Sequence, residues 1–216
     1  ILMTTVTVLG ATGRTGRPLI DRLLEDGYDV QALVRSTSPD LPVHDRLHIL
    51  TGDATNPDDL EQALAGSTAV FSCLGTDQQQ VLSTAIPHLV TKMKEAGIER
   101  VVFVGTAGIL DASEEPGKYR FQSSESRRRS TIAAEDHLKA YLTLKDADVD
   151  FTVICPTQLT EDDALTADKL LIETTRFTAP TGPIPRENVA QFAFDVFRDG
   201  THHRVRVGIA SHGSTE

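Results

Sequence analysis

Along this chain, short runs of β-branched and aromatic residues alternate with longer stretches whose apolar positions recur every three or four residues. The first kind reads as strand and the second as amphipathic helix. Strands are expected at Thr4–Leu9, Asp29–Val34, Leu47–Leu50, Ala69–Cys73, Arg100–Gly105 and Asp150–Ile154. Helices are expected at about Arg14–Asp26, Pro57–Ala65, Gln78–Ala96 and Ser126–Lys145. Strands separated by helix-length segments require right-handed crossovers, and so predict a parallel sheet. The uninterrupted Val101-Val102-Phe103-Val104 run suits a sheet covered on both faces. Gly27 and Gly97 stand where a helix ends on a left-handed residue, and Asn56-Pro57 reads as an N-cap followed by the first helical position.

Beyond Ile154 the pattern loosens. Residues 155–185 contain four prolines and threonine-rich stretches, with one strand expected at Leu170–Thr175. A helix at Arg186–Arg198 then places Val189, Ala190, Phe192, Ala193, Val196 and Phe197 on one side, and a strand at Val205–Ile209 closes the fold. Two irregular stretches, about 108–125 and 157–183, are candidates to shape a substrate pocket; the alternative is a solvated insertion.

The first strand feeds Gly10-Ala11-Thr12-Gly13-Arg14-Thr15-Gly16 and then a helix. In that context Gly10 permits a tight turn, Gly13 lets a pyrophosphate approach the backbone, and Gly16 lets helix and strand pack closely. The anion would meet free N–H groups at the positive end of the helix dipole. A dinucleotide-binding, doubly wound α/β fold of the Rossmann type is therefore expected. Its strand order would be 3-2-1-4-5-6 plus a C-terminal strand, with residues 1–216 forming a single domain.

With 39% hydrophobic and 24% charged residues, the composition is that of an ordinary globular protein. A net charge of −10 argues against a general nucleic-acid surface. No apolar run is long enough to span a bilayer and no leader-like segment follows Met3, so a cytoplasmic location without membrane association is expected. Cys73 and Cys155 are the only cysteines and are expected to be buried free thiols. No Cys/His cluster has metal-ligand spacing, so no metal is expected; His202-His203 and Glu161-Asp162-Asp163 read as solvated loop residues.

The GxxGxxG spacing resembles the extended and atypical short-chain dehydrogenase/reductases. Where that family has an acidic ribose reader, at the end of the second strand, this chain has Val34-Arg35-Ser36. Arg35 cannot accept from a ribose 2′-hydroxyl but can grip a 2′-phosphate, with Arg14 able to flank it, so NADP(H) is expected over NAD(H). The resemblance further implies that Asp53, in Gly52-Asp53-Ala54, meets the adenine. It also implies that Cys73-Leu74-Gly75 lies along the adenosine and that Pro156-Thr157-Gln158 meets the nicotinamide.

Members of that family reduce carbonyls with a Tyr-x-x-x-Lys pair and a hydroxyl from the end of the fifth strand. Tyr141 and Lys145 match the spacing, but at the carboxyl end of their helix they would stand roughly 20 Å from a nicotinamide. Aligned through Ala133-Ala134-Glu135, Arg127 takes the Tyr position and Thr131 the Lys position, whereas Thr106 occupies the hydroxyl position as the candidate catalytic residue. The GATGxTG loop, Arg35, Gly105-Thr106-Ala107 and Asp136-His137-Leu138 together resemble the biliverdin-IXβ reductase/flavin reductase branch and its NmrA-like, NAD(P)H-binding relatives. That resemblance implies an NADP(H)-dependent oxidoreductase delivering hydride to a flat small-molecule acceptor: a flavin, quinone or tetrapyrrole. Such rings spread charge and can take their proton from solvent. The alternative is a non-catalytic NADP(H) sensor acting through a protein partner; an epimerase-like role is disfavoured by the missing pair. His137, well down its helix, is expected to be a satisfied structural histidine.

Overall fold

The computed structural model describes residues 3–77 and 79–214, so Gln78, the expected start of the third helix, lies outside the described residues. The chain runs β1 (Thr5–Leu9), α1 (Gly16–Glu25), β2 (Asp29–Val34), β3 (Leu47–Thr51), α2 (Pro57–Leu64), β4 (Ala69–Ser72), α3 (Val81–Ala96) and β5 (Arg100–Val104). It continues through α4 (Ile132–Asp146), β6 (Asp150–Pro156), β7 (Leu159–Thr160), β8 (Leu170–Thr174), β9 (Thr181–Gly182), β10 (Ile184–Pro185), α5 (Arg186–Asp199) and β11 (Val205–His212).

The main sheet has the order β3-β2-β1-β4-β5-β6-β11-β8, the expected sequence of strands with β11 added beyond β6. Every pair from β3 to β11 is parallel; β8 and β9 return antiparallel against β11. Two cores cover the two faces. One gathers Leu60, Leu64, Leu82, Ile86, Leu89 and Leu144 from α2, α3 and α4. The other gathers Leu19, Ile20, Leu23, Val189, Ala193 and Val196 from α1 and α5. This double cover explains why the central strands are almost uniformly apolar.

Several helix ends follow local chemistry. Asn56 accepts the N–H groups of Asp58 and Asp59 with Pro57 in the first turn, and Gly97 closes α3 at φ 71°. The start of α3 is different, because Gln80 offers no side-chain cap. The buried Asp136 carboxylate of α4 accepts the Leu82 and Ser83 N–H groups at 3.0 and 2.9 Å. One helix thus caps its neighbour.

The segment expected to be largely irregular at 155–185 is more ordered than its prolines suggest. It carries β7, β8, β9 and β10, and β7 pairs in parallel with β10. β8 is the strand expected at Leu170–Thr175, whereas β7, β9 and β10 are two-residue strands whose partners are distant in sequence, so local periodicity could not reveal them. Conversely, the fourth helix begins at Ile132, six residues after Ser126. The 126–131 stretch is polar and exposed or half-buried, and no apolar face holds it to the sheet.

Candidate functional site

Two cavities open beyond the carboxyl ends of the parallel strands, where a doubly wound sheet leaves room for a ligand. The first, of about 580 Å³, is lined by the loop 10–15, by Val34 and Arg35 at the end of β2, by 52–55 after β3, by 73–75 after β4, and by Val104 and Gly105. It lies at the switch point where the chain turns from β1 outward to β2 and β3, then crosses to β4.

The glycines of the loop have separate physical jobs. Gly10 has φ +71°, and a Cβ there would stand 2.4 Å from the Cys73 carbonyl oxygen, so both conformation and the nearness of β4 demand glycine. At Gly16 a Cβ would fall 2.1 Å from the Gly10 carbonyl oxygen, which is the close helix–strand approach expected of it. Gly13 is exposed, and an added Cβ would meet only the Gly10 and Cys73 carbonyl oxygens, at 3.2 and 3.8 Å. Thr15 precedes α1 without a side-chain cap; the Arg17 N–H goes to the Gly13 carbonyl oxygen and Pro18 has none, which leaves the Gly16 N–H as the first-turn donor without a backbone partner among the described residues. A diphosphate fits this cradle.

Of the candidate residues, Gly10, Thr12, Gly13, Arg14, Thr15, Arg35, Asp53, Ala54, Cys73, Leu74, Gly75 and Pro156 line this first cavity. Gly16 is buried behind the loop, and the exposed Ser36 accepts the Ser38 N–H at 3.1 Å outside the lining. Arg35 is 71% exposed and pairs with Asp77 at 2.8 Å across the mouth. Arg14 is engaged elsewhere: its Nε meets Glu161 at 3.1 Å and its Nη2 donates to the Leu159 carbonyl at 2.9 Å. Glu161 is exposed, as expected, and also pairs with Arg186 at 2.9 Å, so it bridges two cations across the end of the loop. The Asp53 carboxylate accepts from the Thr55 N–H and hydroxyl, both at 2.8 Å, and these bonds hold its pKa below the usual carboxylate value. Both cysteines are free, but only Cys155 is buried as expected; Cys73 is half-buried because it lines this cavity, and desolvation pushes its thiol up to about 12.

The second cavity, of about 520 Å³, contains the rest: Thr106, Thr157 and Gln158, together with Arg127 and Thr131 from the positions that resemblance assigned to Tyr and Lys. Pro156 and His137 line both cavities, so the two meet there. Thr106 is half-buried and its hydroxyl oxygen accepts the Gly108 N–H at a long 3.4 Å. The loops 108–125 and 157–183 both reach this space, through Arg120, Phe121 and Glu125 on one side and Thr181 and Gly182 on the other.

Tyr141 and Lys145 belong to neither lining. Tyr141 is buried against Phe151 with ring centroids 6.1 Å apart, and Lys145 is exposed in the last turn of α4. His137 departs from the satisfied histidine expected of it. Its Nδ1 is enclosed without a hydrogen-bond partner among the described residues, and its ring sits edge-on to Phe103. Burial pushes its pKa down to about 4, against the pull of Asp136. The sequence offered no periodic sign of this placement. The signal it does carry is three consecutive arginines, 127–129, in an acidic chain.

The sheet order and the glycine cradle at its switch point define a Rossmann-type nucleotide-binding protein. The sequence profile of the NAD(P)H-binding family matches residues 10–200, and the chain belongs to that family. Dihydroflavonol 4-reductase of Hordeum vulgare is 34% identical over 131 residues, covering 51% of this chain and 37% of that protein. The chain spans only 32% to 43% of the length of the first curated relatives it matches. A wide-type short-chain dehydrogenase/reductase from Veillonella parvula DSM 2008, solved in complex with NADP, superposes with TM-score 0.82 at 21% identity, over 100% of this chain and 98% of that one. ChuY, an anaerobillin reductase from Escherichia coli O157:H7, gives TM-score 0.78 at 18% identity over 99% of this chain and 100% of that one. At these identities the two structures share the fold. No helix among the described residues is long and apolar enough to cross a membrane.

Proposed function

We propose that the protein is an NADP(H)-dependent oxidoreductase that reduces a flat conjugated acceptor, such as a flavin, quinone or tetrapyrrole. The observation that carries this reading is the junction of the two cavities at Pro156 and His137. The diphosphate would rest on Gly10–Thr15, the 2′-phosphate on Arg35, and the adenosine along Asp53 and Cys73–Gly75. When bound, the nicotinamide supplies the hydride.

The protein's own part is chiefly proximity and orientation. Thr106 would position the acceptor or the nicotinamide ring through its hydroxyl, whose one long contact leaves its proton free to donate. Pro156 would support the shared wall, and the loops 108–125 and 157–183 would enclose the acceptor. A conjugated ring that receives hydride delocalises the charge, so solvent can deliver the balancing proton without a Tyr–Lys pair. The placement of Tyr141 and Lys145 away from both cavities supports this economy.

The test is NADPH oxidation followed by absorbance with FMN, riboflavin, dichlorophenolindophenol or a quinone. Turnover above the protein-free rate, reduced about tenfold or more by Thr106→Val, is expected for a hydroxyl that orients a reacting ring. Saturable NADPH binding with no turnover across these acceptors would instead assign the protein a sensing role.

A further inference from the structure

The second cavity opposes the charge of the protein that surrounds it. The chain carries a net −10, yet Arg120, Arg127 and Arg128 line this space against a single acid, Glu125. Glu125 is itself occupied, accepting the Ser113 N–H at 2.5 Å and standing 3.7 Å from the Arg120 Nε.

Arg120 is the most constrained of the three. Its Nη2 donates to the Thr181 hydroxyl at 3.1 Å, and its guanidinium lies 5.3 Å from the Phe177 ring centroid. Its Nη1 is fully enclosed and has no hydrogen-bond partner among the described residues. Glu125 meets this charge only at Nε and at a long 3.7 Å, so the guanidinium lining the cavity favours an anionic oxygen there.

The start of α4 adds an independent contribution. Thr131 precedes this 15-residue helix without capping it, and Thr131, Ala133 and Ala134 line the same cavity. Its first-turn N–H groups and the positive end of its dipole therefore border the space that Arg120 borders. A neutral ring gains little from guanidinium groups and a helix amino end. A carboxylate or phosphate gains several charge-assisted hydrogen bonds.

We propose that the acceptor held in the second cavity carries a carboxylate or phosphate, bound by Arg120 and the start of α4, with the exposed Arg127 and Arg128 drawing it in. This rests on the reductase reading for the identity of the ring, but the anion site is testable without turnover. The cofactor's own phosphates are accounted for by saturating the first cavity with NADP⁺, which has no hydride to give.

Under that condition, FMN and riboflavin share one ring and differ by a phosphate, and each can be titrated by flavin fluorescence. FMN is expected to bind about tenfold or more tightly than riboflavin, the return of one or two charge-assisted bonds. Arg120→Met should bring the ratio to within about twofold, and Arg120→Lys should restore part of it. Should Arg120→Met fail to fold, the exposed pair Arg127→Ala and Arg128→Ala provides a second test, with the ratio falling about threefold or more. Equal affinity for the two flavins, absent binding of both, or a ratio indifferent to all three arginines would overturn the proposal. A preserved ratio without NADPH oxidation would support the anion site while refuting hydride transfer to flavin.

Discussion

Replacing Arg35 with Ala should weaken NADP(H) far more than NAD(H), and the structure sets the size of the difference. The guanidinium leaves β2 at the mouth of the first cavity, 71% exposed, with its Nη2 2.8 Å from Asp77. To take a 2′-phosphate it must give up that pair, which at such exposure is worth about 0.2–1 kcal/mol. Charge-assisted bonds to the phosphate return about 1.5–3 kcal/mol. The net is about 1–2 kcal/mol, or roughly fivefold to thirtyfold in Kd for NADPH. NADH, lacking the phosphate, should change by less than about twofold. Titration calorimetry with both dinucleotides, at ionic strengths of about 0.01 and 0.15 M, measures this. The NADPH effect should shrink at the higher salt as the Debye length falls from about 30 to about 8 Å. Because Asp77 competes for the same guanidinium, Asp77→Asn should tighten NADPH by up to about fivefold. Equal losses for both dinucleotides on removing Arg35, or weaker NADPH binding on removing the Asp77 charge, would refute the reasoning.

Gly13→Val should remove dinucleotide binding while shifting the melting temperature only slightly, whereas Gly16→Val should unfold the protein, since only the latter drives a side chain into the Gly10 backbone at 2.1 Å; calorimetry and thermal melts separate the two. Asp136→Ala should cost about 2–4 kcal/mol, because it orphans the Leu82 and Ser83 N–H groups at the start of α3. Denaturant unfolding checks it, and a loss below about 0.5 kcal/mol would remove the interhelix cap from the account of stability. Stability should fall as pH drops from about 6.5 toward 4, since the unfolded chain can protonate His137 in a range where burial keeps the folded ring neutral. At pH 5 the contribution is up to about 2 kcal/mol, and His137→Gln should flatten that part of the curve; an unchanged slope would show that other groups set it.

Much of this protein was legible in one dimension because local physics decided it. The strands and helices of the first 154 residues follow hydrophobic period, and the Asn56 cap and the left-handed Gly97 follow from the backbone needs of helix ends. The loop 10–16 was legible too, because strand, glycine spacing and helix are contiguous. Even there the reading was partial: Gly10 is required as much by the approach of Cys73 as by its turn, and Cys73 lies 63 residues away in the sequence.

Other features depend on pairs that no window of sequence contains. Asp136 looked like part of a motif and proves to cap another helix; Glu161 is solvated as expected but also joins Arg14 to Arg186; β7 and β10 exist only because they find each other. The second cavity is the clearest case. Arg120 comes from the 108–125 loop, Thr131 from just before α4 and His137 from within it, Thr157 from just after β6 and Thr181 from β9, and their common space is set by the order in which strands dock. Sequence alone determined most elements up to β6 and the phosphate loop, since both arise from neighbouring residues along one backbone. Tertiary structure alone decided which charges meet, because side-chain electrostatics act over a few ångströms of space and are indifferent to separation along the chain.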